Sequence, residues 1–136
     1  MEHTSEVGSP AADRSRQIVL AVALLRLAVG AVSTVQPTAL PRGMGIDSAT
    51  AARATFITQM FASREIALAL GTSYAVVRGR SPRPWLLASA LSDGADAVTL
   101  VTAARQGRVA KVAAYAAAAG AVVAVGASVW AATRRP

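Results

Sequence analysis

The chain alternates between long apolar stretches and short links rich in arginine, proline and glycine. Residues 18–35 form the first apolar stretch, interrupted only near its middle by Arg26. Further stretches cover about 50–77, 85–104 and 109–132. At about 1.5 Å of rise per residue, each is a helix long enough to cross the hydrocarbon core of a bilayer. No stretch of useful length alternates with the period of a strand. The links are compact. Residues 36–49 (QPTALPRGMGIDSA) carry two prolines and two glycines and read as a loop, with Asp47 or Ser48 placed to cap the helix that follows. RGRSPRP (78–84) and RQGR (105–108) make the other two turns. Such short connections make sequential helices antiparallel neighbours. The pattern predicts an all-α fold, an integral membrane four-helix bundle with short loops over residues 17–133. A polar, disordered tail at 1–16 precedes it and a basic tail at 134–136 follows.

A soluble bundle is the competing fold. Against it, the stretch VAAYAAAAGAVVAVGASVWAA in the fourth segment carries no charge and no polar face, which a helix on a water-facing surface needs. A cleaved signal peptide is the competing reading of the first segment, but Arg26 splits the unbroken apolar core that such a peptide requires.

Composition supports lipid as the solvent. Hydrophobic residues make up 54% of the chain while aromatics make up 4%, and mean hydropathy is +0.44. The net charge of +7 would suggest nucleic acid if the basic residues formed one stripe. They lie instead in the links, at Arg14 and Arg16, at Arg78, Arg80 and Arg83, at Arg105, Arg108 and Lys111, and at Arg134 and Arg135. That is how loops of a membrane protein are anchored, so no nucleic-acid partner is expected. With no cysteine, and a single histidine, His3, in the tail, thiolate, iron–sulfur and bis-histidine haem sites are excluded; no metal and no cofactor is expected. Lys and Arg number seven on the side holding both termini and the 78–84 turn, against five on the other (Arg42, Arg53, Arg105, Arg108, Lys111). The bias places both termini in the cytoplasm.

The candidate chemistry lies where charge is most costly. Arg26, the adjacent Arg64 and Glu65, and the pair Asp93 and Asp96 all fall near the centres of their helices. A charge at that depth costs about 2.5–3.5 kcal/mol on insertion scales, so five of them are expected to turn inward and pair. Two arginines face three carboxylates, leaving one negative charge to be met by a proton shared between Asp93 and Asp96. Ser89, Ser92, Asp93, Asp96 and Thr99 follow helical spacing and form one polar stripe. Thr58, Glu65 and Thr72, seven residues apart, share a face of the second segment. Gly71 and Gly94 permit close approach of a neighbouring helix. Ala116, Gly120 and Ala124 form a small-residue series suited to helix packing, within the chain or between two copies.

These residues also carry a resemblance. The arginine of the first helix, FASREIALALG at 61–71 and LSDGADAVTLV at 91–101 resemble a group of small bacterial four-helix integral membrane proteins with a domain of unknown function. That group is distantly similar in layout to the DoxX-like proteins. The resemblance covers residues 18–132. It implies a multi-pass protein of the bacterial cytoplasmic membrane and draws attention to Arg64, Glu65, Asp93 and Asp96; it implies no activity. Three classes of function follow from the residues. A structural or accessory role would use the charges as a clasp and the fourth helix to meet a partner protein or a second copy in the bilayer. A proton-coupled transporter would use the carboxylates as its proton site. A membrane enzyme or binding protein for an apolar substrate would use them beneath a closed cavity. The residues favour the first, and no catalytic residue stands out.

Overall fold

The computed structural model describes residues 10–133, which form six helices and no strand. In order they are α1 (Pro10–Val35), α2 (Ala39–Gly43), α3 (Ser48–Arg53), α4 (Thr55–Val77), α5 (Arg83–Arg105) and α6 (Lys111–Thr133). Three of them, over Arg14–Val35, Arg83–Arg105 and Lys111–Thr133, are long and apolar enough to cross a membrane. The remaining long helix, α4, is not among them and carries Gln59, Arg64 and Glu65 in its middle.

Three boundaries differ from the pattern. Helix α1 starts at Pro10, so residues 10–16, expected in the tail, are its first turns; Pro suits a first turn because its missing N–H has no helical acceptor there. The rest of that tail, and residues 134–136, lie outside the described residues. The 36–49 loop contains the one-turn α2. The helix expected from residue 50 is broken at Ala54 into α3 and α4, where the Thr55 hydroxyl donates to the Ala52 carbonyl at 2.7 Å and competes with the regular backbone pattern. Asp47 caps α3, its carboxylate accepting from Ala49 N at 3.1 Å and Thr50 N at 3.0 Å. Hydrogen bonding, first from the Thr50 side chain and then from its backbone, holds the Asp47 carboxyl below its ordinary value of 3.8.

The four long helices form two antiparallel pairs, α1 with α4 and α5 with α6, and the pairs touch each other far less than their members do. Both turns at the ends of α4 and α5 close with a left-handed glycine. Gly79 (φ +63°) and Gly107 (φ +69°) let the bonds Arg80 N to Ala75 O (2.8 Å) and Arg108 N to Ala103 O (3.0 Å) form. These bonds satisfy carbonyls that the helix end leaves open. The pairs meet at one end. There Val19 of α1, Leu86 of α5 and Ala132 of α6 form a buried cluster, with Val76 of α4 and Ala131 against it. The ring of Trp85 lies over Gly71, within 2.4 Å of where a Cβ would stand. At the other end α2 and α3 lie across the gap. They are fixed to the α5–α6 turn by the 2.8 Å bond from Ala110 N to Met44 O and by contact of Gly45 with Ala110.

The interior is built from small and polar residues. Apart from Val19, Leu68 and Leu86, every buried hydrophobic residue is alanine, while Leu24, Leu25, Met60, Leu70, Leu91, Val98 and Val123 are among many large side chains left exposed. A soluble protein distributes these residues the other way round.

Candidate functional site

One arginine joins three helices. Arg26 Nη1 donates to Glu65 Oε2 at 2.6 Å, and its Nη2 donates to Asp93 Oδ2. All three residues are buried. Arg64 makes the second set: its two terminal nitrogens reach Asp96 Oδ2 at 2.6 Å and Oδ1 at 3.3 Å, a two-pronged pair. A longer contact of 3.4 Å runs from Arg64 to Glu65 Oε1, and the guanidinium lies 5.0 Å from the centre of the Phe61 ring, within reach of a cation–π attraction. Each aspartate therefore has its own arginine, and the acid standing between the two cations is Glu65. The pairs form a chain of alternating charge, Asp93–Arg26–Glu65–Arg64–Asp96. Asp93 uses only Oδ2, and Arg64 Nε is buried without a partner among the described residues.

The supporting polar residues divide by depth. Thr58, Thr72 and Ser89 are buried. The Ser92 hydroxyl is enclosed with no partner among the described residues. Thr99 is exposed and returns its hydroxyl to the Ala95 carbonyl of its own helix at 2.8 Å. Only Thr58 and Thr99 of these five reach the space described next.

Above the ion pairs, between the two helix pairs, lies a cavity of about 680 Å³. Arg26, Glu65, Asp93 and Asp96 form its polar wall, and the rest of the lining is almost wholly apolar. Leu25 and Val29 come from α1, Ile57 and Phe61 from α4, Leu100 and Ala103 from α5, and Ala117, Gly120, Ala121 and Ala124 from α6. Leu40, Pro41, Met44 and Ile46, together with Val109, cover the end away from the packed cluster. A volume of this size with few polar groups is typical of a small-molecule site. Leu25 and Ile57 line it while remaining more than half exposed, so the space opens sideways along the seams between the pairs.

The packing residues also take distinct places. Gly71 seats Trp85. Gly94 has its nearest neighbour, Val125, at an ordinary 4.0 Å from a built Cβ, and Gly120 has open space there. Ala116 is exposed. The small series on α6 thus turns Gly120 and Ala124 to the cavity, and α6 buries Ala114, Ala118, Ser128 and Ala132 instead. Two helix backbones come close at Gly30, where a Cβ would come within 2.7 Å of the Ile66 side chain and 3.0 Å of the Ala62 carbonyl oxygen. The sequence signal for it is Ala23 and Gly30, seven residues apart on the face of Arg26. Nothing in the pattern singled out the α2 residues that cover the cavity.

No family model, curated protein or solved structure matches the chain. What the site can do follows from its geometry.

Proposed function

We propose that the chain is a multi-pass membrane protein, with α1, α4, α5 and α6 all spanning, that binds a molecule dissolved in the bilayer. Its cavity takes the apolar body and the charge cluster takes the polar end. The observation that carries this is that the ion pairs stand in the wall of a large apolar cavity. A cluster serving only as a clasp would be packed solid, since an empty space of this size leaves its lining without dispersion partners. The exposed Phe56, Ile57, Met60, Leu70 and Val77 of α4 favour lipid around that helix as around the others, and its buried ion pairs remove the cost of its charges. The sideways openings suit a ligand that arrives from the hydrocarbon. The resemblance to small bacterial four-helix membrane proteins agrees with a place in the cytoplasmic membrane.

A clasp role has its own support, because Arg26 joins the two helix pairs across the gap. The two readings part in photolabelling. The protein in lipid nanodiscs is exposed to dodecanol carrying a diazirine at the far end of its chain, and labelled peptides are mapped. The expected sites are the cavity residues of α2, α5 and α6. Gly120→Leu, which places a side chain in open space, should lower that labelling about tenfold, the scale of a 1.4 kcal/mol loss. Labelling confined to outward residues such as Leu24 and Val123, and indifferent to G120L, would leave only the clasp.

A further inference from the structure

We infer that the cavity selects a lipophilic monocation, a protonated amine or quaternary ammonium on an apolar body; this rests on the binding role proposed above. The cluster holds two arginines and three carboxylates in one connected chain. With all five groups ionised it is one positive charge short of balance, and Glu65 and Asp93 in it are buried. An uncompensated charge so placed is costly, and a partner of opposite sign relieves that cost. The missing charge belongs on the cavity side. Asp93 and Asp96 both line the cavity, and Asp93 Oδ1 has no donor among the described residues. The cations are turned away from that role. Both terminal nitrogens of Arg26 are spent on carboxylates, and Arg64, also engaged through its terminal nitrogens, is not part of the lining. An anionic head would therefore meet the repulsion of Glu65, Asp93 and Asp96, which outnumber the arginines of the cluster. A hydroxyl head would gain a hydrogen bond but leave the charge imbalance as it was. The apolar remainder of the lining fits an alkyl or aromatic body.

The test is a competition in nanodiscs of zwitterionic lipid, with the diazirine-bearing dodecanol as reporter. Dodecyltrimethylammonium, dodecanol and dodecylsulfonate are added at equal mole fraction. The cation should displace the label at about a tenfold lower mole fraction than the alcohol, and the sulfonate should not displace it. Asp96→Asn brings the cluster to two arginines and two carboxylates, so the cation should lose its advantage while the alcohol competes as before. Equal displacement by cation and alcohol in the wild-type protein, or a stronger effect of the sulfonate, would overturn the preference and leave the binding role standing. Absence of any label in the cavity would overturn both. If D96N does not fold, the three-way comparison on the wild-type protein decides alone.

Discussion

Arg26 and Arg64 are alike in the sequence and unlike in the molecule. Among the described residues, Arg26 is the only partner of Asp93 and the nearer partner of Glu65. Arg64 is likewise the only partner of Asp96 among them, and its hold on Glu65 is long. Removing Arg26 strands two buried carboxylates; removing Arg64 strands one that is a third exposed, with a side-chain exposure of 32%. Breaking a buried pair by deleting one partner costs about 3–5 kcal/mol. Arg26→Ala is expected to lose about that much, and Arg64→Ala roughly half, read as thermal unfolding in detergent. Equal losses would mean that the two ion pairs carry the same weight. The common depth of these charges was legible from their spacing along the helices. Which acid pairs with which arginine was not, because one turn of helix separates Asp93 from Asp96 and only the packing of one helix pair against the other assigns them.

At the scale of elements, small residues are the ambiguous ones. A stripe of Gly and Ala marks either a place where two backbones meet or the wall of a space that larger side chains would fill. Sequence spacing is the same in both cases. Gly30 belongs to the first kind and Gly120 to the second. Gly30→Ala should therefore destabilise by about 1–3 kcal/mol through overpacking against a backbone oxygen, whereas Gly120→Ala should be tolerated or slightly stabilising. Unfolding temperatures of the two variants check this, and a neutral G30A would show that α1 and α4 can move apart. The four long elements were readable from hydropathy; the ends of α5 and α6 fall within two residues of those expected, while α1 begins eight residues earlier and α4 five later. In the segment joining α1 to α4 the cap at Asp47 was readable, but α2 was not, because its residues are those of an ordinary loop and Leu40, Pro41 and Met44 are placed by packing on the cavity and on the Ala110 turn.

For the molecule as a whole, the arrangement is polarised from end to end. The packed end carries Tyr74, Trp85 and Trp130 near the helix termini, together with Arg78, Arg80 and Arg83 in one turn. Aromatic residues suit either membrane interface, and the basic turn suits the cytoplasmic one. In that orientation the covered end of the cavity would face outward. A fluorescent protein fused after Pro136 should glow and alkaline phosphatase fused there should be inactive; the reverse result would invert the molecule. The two orientations also differ in which leaflet the sideways openings address.

The division into two helix pairs has a consequence for how the chain is made. Synthesis delivers α1 and α4 before α5 exists. The first half carries Arg26, Arg64 and Glu65 and the second carries Asp93 and Asp96. Arg26 can already be neutralised by Glu65 within the first half, leaving that half with a surplus of one positive charge and the second with two negative ones. Each half is a hairpin closed by its own local contacts, and the attraction between them is built in before they meet. The turn at Gly79 is then expected to be dispensable as a tether: residues 1–79 and 80–136 made as separate chains should co-purify, and failure to do so would show that the link is needed.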